Sequence, residues 1–320
     1  MKFRFPILGS FVAIVTGSTA AHAQGLPPIF ATTPKQLVPA RTVAEFPKNT
    51  FLENIVVDKS GTLFITSFED GKIYRVTPTG EKSEFAAIAG TIAGITFDRD
   101  GNLLVTGWAD KKTPSVFRVS PTGTVETLTA IDGGMFPNAI TPLKGDTYLI
   151  ADSYKGVIWA FDGKTNQCRI WLSAPALIRR DPKNPVPAVN GLKVFRNALY
   201  ATNTQRQQIW RIPISADGKA GTPKLFLEKI NGDDFALDGA GNLYVTTHFY
   251  NSVVRVTPDK KVTIIAGAEQ GMIGSTSLAF GKGEADRNAL FVVTNGGMSL
   301  PPKGGVQPAK IVRLDIGKKR

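Results

Sequence analysis

The chain has little of what holds many exported proteins and metalloenzymes together: among 320 residues there are one cysteine and two histidines. The lone Cys168 excludes an internal disulfide. With no histidine near it in the sequence it is a weak nucleophile candidate, and it is predicted to be a small apolar residue of an outer strand. His22 lies close to the N-terminus, so His248 alone remains, which excludes a zinc site built from several histidines. No Gly-x-Ser-x-Gly elbow is present, which argues against a Ser-His-Asp hydrolase.

Long hydrophobic runs are also missing, because no apolar stretch reaches the roughly 20 residues that a membrane-spanning helix needs. The most apolar stretch follows Lys2 and Arg4 and ends near Val15, and an Ala-His-Ala cleavage site follows at residues 21–23. Residues 1–23 are therefore predicted to be a signal peptide rather than a transmembrane anchor. The mature protein is predicted to be secreted or periplasmic.

Acidic residues are fewer than basic ones, 26 against 38, so the formal net charge is +12, or +10 without Lys2 and Arg4. The basic residues are scattered along the chain, with no basic helix and no basic-aromatic cluster. This pattern predicts solvated faces that favour anionic surfaces, and it predicts no nucleic-acid site.

The chain instead has one pattern six times over: an alternating apolar run, a Gly/Asn turn and a second apolar run, clearest from Ile230 to Thr247. Each copy predicts a β-hairpin. The residues that open successive copies are Glu53, Ala93, Asn138, Asn190, Asp233 and Ser275. Repeats of roughly 40–50 residues with four strands each are typical of a β-propeller. The predicted fold is all-β, a six-bladed β-propeller.

The ring is predicted to close through the N-terminus. Residues 24–40 are Pro-rich without periodicity and predict an extended segment, and the propeller follows over residues 41–317. The run at 41–46 resembles the outermost strand of the first repeat, at 81–85, yet it precedes the first complete repeat. This N-terminal strand is therefore predicted to pair with residues 310–314 and complete the last blade.

One mouth of the central channel is the candidate functional site, because a propeller brings the residues that open its innermost strands together there. Four openers carry hard oxygen donors from four blades: Glu53, Asn138, Asn190 and Asp233. Two carboxylates and two amides suit Ca²⁺ or another hard divalent ion, and the carboxylates would repel each other without a cation. We therefore predict a metal site there. Two Pro-rich loops, 173–189 and 296–309, either roof this mouth or are ordinary surface insertions.

These motifs resemble those of the SMP-30/gluconolactonase/LRE-like family, whose six-bladed, metal-centred architecture is shared with the paraoxonases. The resemblance rests on Leu52-Glu53, on Pro137-Asn138, on Asn190-Gly191-Leu192, and on Asp233 five residues before Asp238, in the family's blade order. It covers nearly the whole mature chain. It implies a bound divalent cation, most simply Ca²⁺, and the hydrolysis of a small-molecule lactone or related ester.

The chain departs from the family in ways that leave the substrate class more open than the metal. Asn54-Ile55 replaces a Gly-Pro pair, and Asp234 stands where the family has glycine, closer to the Asp-Asn pair of the paraoxonases. His248 lies near a paraoxonase histidine of the same blade. The resemblance implies that Asp233 or Asp234 is the base or nucleophile, with His248 as the third catalytic candidate.

Each of these roles has an alternative. Asp234 as a turn or cap residue and His248 as a channel-lining residue bonded to a neighbour are equally consistent with the sequence. Three residues that end second strands are candidates for substrate binding, with plain strand-end turn residues as the alternative: Asp152, Asn203 and Asn295.

Three functions remain open at this point. The first is a secreted metal-dependent hydrolase of lactones or esters. The others are a non-catalytic propeller that binds a ligand or a protein around a structural metal, and a non-hydrolytic enzyme that orients a substrate in the roofed pocket. The fold alone does not decide among them.

Overall fold

The computed structural model describes residues 26–284 and 286–317, so the predicted signal peptide, residues 1–23, lies outside the described residues. The described chain forms 24 β-strands and two one-turn 3₁₀ helices, His248–Tyr250 and Ala268–Gln270. In these two ranges no helix has the length and apolar character that crossing a bilayer demands. The strands form six antiparallel sheets of four, which confirms the predicted six-bladed β-propeller.

Blades one to three follow one another in chain order, each from its innermost to its outermost strand. Their strands are β2 (Leu52–Val57), β3 (Leu63–Ser67), β4 (Lys72–Val76), β5 (Lys82–Ala87), β6 (Gly90–Phe97), β7 (Leu103–Ala109), β8 (Thr113–Val119), β9 (Val125–Ala130), β10 (Pro137–Lys144), β11 (Thr147–Asp152), β12 (Val157–Asp162) and β13 (Gln167–Ser173). Cys168 lies in the outermost strand β13, and burial raises the pKa of its thiol to about 12, so the thiol stays protonated.

Blades four and five repeat this order, whereas blade six takes its outermost strand, β1, from the N-terminus. The strands are β14 (Val189–Phe195), β15 (Ala198–Asn203), β16 (Gln208–Pro213), β17 (Lys224–Glu228), β18 (Phe235–Leu237), β19 (Leu243–Thr247), β20 (Ser252–Val256), β21 (Val262–Ala266), β22 (Ser275–Phe280), β23 (Ala289–Thr294), β24 (Pro308–Asp315) and β1 (Ala40–Lys48).

The six sheets close into a ring. Each innermost strand contacts the innermost strand of the next blade, and β22 contacts β2. Strand β1 pairs antiparallel with β24, so that Ala40 lies opposite Leu314 and Lys48 lies opposite Pro308. The predicted closure by an N-terminal strand is thereby confirmed. Just before β1, the amide of Gln36 donates to the carbonyl of Ile264, so this segment follows the outer strand of blade five.

The apolar core lies between blades rather than at one centre. One cluster packs Phe46 of β1 and Ile311 of β24 against Leu52 and Ile65 of blade one. Another joins the inner strands of blades three and four, with Leu149 and Leu199 fully buried in it. Fully burying one such side chain contributes about 1.5–3 kcal/mol, so each blade gains its stability from both neighbours.

Hydroxyl groups join each blade to the next around the channel, and sequence reasoning did not find them. In blade one, Thr66 Oγ1 accepts from the amide of Asn54, 3.0 Å away, and donates to the carbonyl of Ala93 in blade two, 2.6 Å away. The remaining hydroxyl-to-carbonyl links are Thr106 to Asn138, Ser153 to Val189, Thr202 to Asp233, Thr246 to Thr276, and Thr276 to Leu52. We call these six links the hydroxyl belt.

Removing one hydroxyl of the belt is expected to cost stability. Thr106→Val keeps the β-branched shape but leaves the amide of Gly94 and the carbonyl of Asn138 without their buried partner. We expect the free energy of unfolding to fall by about 1–3 kcal/mol, measured by chemical denaturation. Thr127→Val, at an exposed position of β9, serves as control and is expected to change it by less than about 0.5 kcal/mol. Equal effects of both variants would contradict a stabilising belt.

Candidate active site

The predicted metal ligands lie on irregularities of the innermost strands. In β2, β10 and β14 the pairing register shifts at Glu53, Asn138 and Asn190. In blade five, Asp233 comes two residues before β18. A β-bulge places an extra residue in one strand and re-aims its side chain. Side chains of a regular strand would point alternately towards the two neighbouring blades. The bulges therefore re-aim these polar side chains away from that alternation.

In two blades, the residue just after the second strand orients the predicted amide ligand. Asn138 Nδ2 donates to Ser153 Oγ at 3.2 Å, and Asn190 Nδ2 donates to Thr204 Oγ1 at 3.1 Å. The amide of Asn190 also donates to the carboxylate of Asp233. Among the described residues neither amide oxygen accepts a hydrogen bond, so both keep their lone pairs for a cation.

Blade five has a histidine at the corresponding position. His248 Nδ1 lies 2.8 Å from Asp233 Oδ2, and its Nε2 lies 2.9 Å from Asn295 Nδ2. Asn295 Oδ1 accepts from the amide of Gly297 at 2.9 Å, which identifies Nδ2 as the donor towards the imidazole. Nε2 must then accept, so a neutral His248 carries its proton on Nδ1 and donates it to Asp233.

Asp234 has a different environment although it follows Asp233 directly. It is 4% exposed, and Lys193 Nζ lies 2.7 and 2.9 Å from its two oxygens. Ser277 Oγ donates to Oδ2 at 2.7 Å, and Asn54 Nδ2 lies 3.4 Å from the same atom. Three donor groups thus make four hydrogen bonds to this carboxylate.

Glu53 lacks such partners. Its side chain makes no hydrogen bond and no ion pair with any residue that the structure describes, and it is half-buried. Burial raises the pKa of Glu53 well above its usual value, and the charges of Asp233 and Asp234 raise it further. Three carboxylates thus interact beside one ammonium, that of Lys193. This excess of negative charge, together with the free amide oxygens, fits a hard divalent cation.

The structure shows contacts between some of the four predicted metal ligands, and the complete set stays a prediction. Asn190 and Asp233 are in direct contact, Glu53 interacts electrostatically with Asp233, and the hydroxyl that holds Asn138 donates to the carbonyl of Val189. Across residues 26–284 and 286–317, no group of three or more His, Cys, Asp or Glu side chains is arranged to hold a metal ion. Two of the four predicted ligands are amides, which such groups do not include.

The raised pKa of Glu53 predicts a pH-dependent stability. Because its folded-state pKa lies above the unfolded one, its stability contribution is present below about pH 4.5 and is lost as the pH rises through the folded pKa. We expect chelator-treated protein to lose stability over this window. Glu53→Gln should flatten the curve, and added Ca²⁺ should oppose the loss by favouring the ionised form. Unfolding free energies measured from pH 4 to 8 test this; parallel curves for Glu53→Gln and the parent would contradict it.

Two predicted substrate-binding residues hold loops beside the mouth. Asp152 accepts four hydrogen bonds, from the amides of Met135, Phe136 and Lys155 at 2.8–3.0 Å and from Trp159 Nε1 at 3.1 Å. Asn203 Nδ2 donates to the carbonyls of Ala176 and Ile178, at 2.9 and 3.2 Å, and so fixes the 173–189 loop. Substrate contact by Asp152, Asn203 and Asn295 stays a prediction.

Grooves of about 260–710 Å³ lie at the other end of the blades. They are lined by the turns that follow the innermost strands, such as those at Asp58 and Asp98, whereas Glu53 lies near the start of β2. None of the predicted site residues lines them. The candidate site is therefore the mouth at which the innermost strands begin.

Two curated proteins align with most of the chain, although no protein-family model matches it. A putative hetero-Diels-Alderase of Phoma sp is 24% identical over 306 residues, covering 81% of this chain and 87% of that protein. The lactonase drp35 of Staphylococcus aureus (strain MW2) is 24% identical over 294 residues, covering 84% of this chain and 86% of that protein.

Solved structures share the architecture. The calcium-binding protein regucalcin of Agrobacterium tumefaciens strain C58 superposes with a TM-score of 0.67 at 14% identity, covering 88% of this chain and 97% of that one. The chain has the fold of the SMP-30/regucalcin and gluconolactonase proteins. A gluconolactonase of Xanthomonas campestris superposes with a TM-score of 0.65 at 14% identity, covering 87% of this chain and 89% of that one. The resemblance stated from the sequence is confirmed at the level of the fold.

Proposed function

We propose that this protein is a divalent-metal-dependent hydrolase of lactones or related esters, exported after removal of residues 1–23. The observation that carries the proposal is the pairing of His248 with Asp233 beside the unpartnered carboxylate of Glu53. An oriented imidazole next to a group of hard oxygen donors can combine proton transfer with charge stabilisation. The similarity to a lactonase and to the fold of a gluconolactonase supports the same reaction class.

Glu53, Asn138, Asn190 and Asp233 would hold the cation, and their oxygen-only chemistry favours Ca²⁺. When bound, a divalent ion acts as a Lewis acid that polarises the substrate carbonyl. The fold neighbour regucalcin is described as a calcium-binding protein, which supports this choice. Lys193 neutralises Asp234 next to these residues, so the site holds fewer uncompensated charges than its carboxylates alone would give.

The chain's own residues supply the proton transfers. The attacking water first replaces Asn295 as the hydrogen-bond donor to His248 Nε2. This nitrogen then accepts a proton from the water, and Asp233 stabilises the resulting imidazolium. The water oxygen bonds to the carbonyl carbon, the ester C–O bond breaks, and the proton passes to the departing alkoxide, which yields a hydroxy acid. Asp233 acting directly on water is the alternative. Asp234 is less available to take a proton from water, because its oxygens already accept from Lys193 and Ser277.

A second candidate is a non-hydrolytic enzyme that orients an apolar substrate. The similarity to a putative hetero-Diels-Alderase favours it, as do the aromatic rings near the mouth. In this case the acid–base pair would position or polarise the substrate without water as a reactant. A non-catalytic propeller with a structural metal is the third possibility.

Metal analysis of purified protein combined with a lactone and aryl-ester panel tests the proposal. We expect about one tightly held divalent ion per chain and turnover that stops with chelator and returns with Ca²⁺. Retention of the ion without any turnover would instead favour the binding propeller. Protein that hydrolyses lactones at the same rate after complete metal removal would contradict the metal-dependent reaction.

A further inference from the structure

The mouth has two chemically different halves. One equivalent position lies at or just after the mouth end of the second strand in every blade; around the ring it is occupied by Phe68, Trp108, Ser153, Thr204, His248 and Asn295. In blades three to six this residue is polar and hydrogen-bonded to its neighbours. In blades one and two it is aromatic. The asymmetry leaves Glu53 without an orienting partner in its own blade, where the equivalent residue is Phe68.

The aromatic residues form a continuous series, which we call the aromatic wall: Phe51, Phe68, Trp108, Phe136 and Tyr154. Successive ring centroids are 4.7–5.9 Å apart. Each residue lies at the end of its blade where the innermost strands begin. All but the nearly buried Phe136 keep intermediate exposure. Phe117 and Phe235, in the core, are by contrast fully buried.

The wall connects the acid–base pair with the long loop. At one end the ring of Phe51 lies 6.0 Å from the imidazole of His248, edge to face. At the other end the guanidinium of Arg179, in the 173–189 loop, lies 4.4 Å from the ring of Tyr154. A molecule held on the wall would therefore have its reacting group next to His248 and its far side below this loop.

The polar atoms of the wall are already used. Trp108 Nε1 donates to the carbonyl of Met135 at 3.1 Å, and the Tyr154 hydroxyl donates to the carbonyl of Pro185 at 2.9 Å. The wall therefore offers ring faces and edges but no free donor for sugar hydroxyls. Aromatic pairs in offset or edge-to-face geometry add about 0.5–1.5 kcal/mol beyond the area that they bury. This chemistry selects a flat, apolar ring and disfavours a polyol.

We propose that the aromatic wall binds an aromatic ring of the substrate, so that the preferred substrates are benzo-fused or aryl-substituted lactones and esters rather than sugar lactones. This inference rests on the proposed hydrolase function for the reaction, but ring binding itself does not require turnover. Phe68 and Trp108 are the specificity-determining residues, because they occupy positions that are polar in the other four blades.

Binding of two lactams that are not hydrolysed tests the wall independently of catalysis. Calorimetry in saturating Ca²⁺ compares 3,4-dihydro-2-quinolinone with δ-valerolactam, which lacks the fused benzene ring. We expect the quinolinone to bind at least about tenfold more tightly. Phe68→Leu and Trp108→Leu should each weaken its binding by about five- to tenfold. Phe226→Leu, which removes a ring from an aromatic pair on the outer strand β17, should leave it unchanged.

Turnover of dihydrocoumarin, δ-valerolactone and a sugar δ-lactone completes the experiment, with thermal unfolding used to confirm that each variant folds. Preferential quinolinone binding without hydrolysis of any lactone would support the wall and contradict the proposed reaction. Hydrolysis that favours the aliphatic or sugar lactone would support the reaction and overturn the wall. The wall is also overturned if both lactams bind equally, if neither binds, or if both wall variants keep the parent's preference.

Discussion

Asp233→Asn is expected to lower lactone turnover by about a thousandfold or more while leaving the fold intact. The substitution removes the charge that stabilises the His248 imidazolium, and general acid–base catalysis contributes about 10²–10⁴-fold in rate. It also removes one of the two carboxylates of the predicted metal site. The measurements are kcat/KM for a lactone with excess Ca²⁺, and the melting temperature with and without Ca²⁺.

The structure explains why stability should hardly change. Asp233 interacts with the like charge of Glu53, so neutralising it relieves repulsion. The oxygen of an asparagine still accepts from His248 Nδ1, and a flip of the Asn190 amide turns its oxygen, instead of its Nδ2, towards the new NH2 group. We therefore expect a metal-free melting temperature close to the parent's and a loss of the upward shift on adding Ca²⁺.

Asp238→Asn is the matched control. This carboxylate accepts hydrogen bonds from the amides of Ala240 and Asn242 at 3.0 Å, in the turn between β18 and β19, away from the mouth. It should lower stability and leave kcat/KM nearly unchanged. If Asp233→Asn lowered stability as much as it lowered turnover, the metal would be structural and the proposed reaction would lose its main support.

Lys193→Met is expected to lower the free energy of unfolding by about 2–4 kcal/mol without divalent cations. Removing one partner of a buried ion pair typically costs about 3–5 kcal/mol, and the 29% exposure of the lysine side chain reduces this. Asp234, almost fully buried, would then stand unpaired beside Asp233 and Glu53. Added Ca²⁺ should restore part of the loss, because it supplies the missing positive charge.

A surface ion pair of the same length provides the control for this prediction. Lys219 Nζ lies 2.7 Å from Asp217 Oδ2, the same distance as in the Lys193–Asp234 pair, but both partners are exposed. Surface pairs contribute little because water and salt screen them, so Lys219→Met should leave the unfolding curve and its Ca²⁺ response unchanged. Chemical denaturation with and without Ca²⁺ compares Lys193→Met with Lys219→Met. Indistinguishable unfolding curves of the two variants would refute the stabilising role of the Lys193–Asp234 pair.

The fold could be predicted from the sequence because the period of a repeat indicates its architecture. Six hairpins at spacings near 40–50 residues left one class of structure, and a strand-like run before the first repeat left one way to close it. The openers Glu53, Asn138, Asn190 and Asp233 were predicted as one group for the same reason, since equivalent positions in a repeat reach equivalent places.

The partners of these residues escaped sequence reasoning for two physical reasons. At the strand ends, Asp152 and Asn203 were singled out one position before Ser153 and Thr204, and in a strand a single position changes the face on which a side chain lies. Lys193 lies 41 residues from Asp234 and meets it across a blade boundary. No local pattern predicts such a contact, because the geometry of the ring alone brings the two side chains together.

The way the two terminal strands meet also determines how the molecule would respond to force. Ala40 lies opposite Leu314, so the chain enters β1 and leaves β24 at the same end of their antiparallel pair. Tension applied through the two termini would load the rungs of this ladder one after another, as in unzipping, instead of shearing them all at once. Once the bonds of Gln36 and Val38 to blade five have opened, the β1–β24 pair is therefore expected to be the first part of the ring to open in single-molecule pulling.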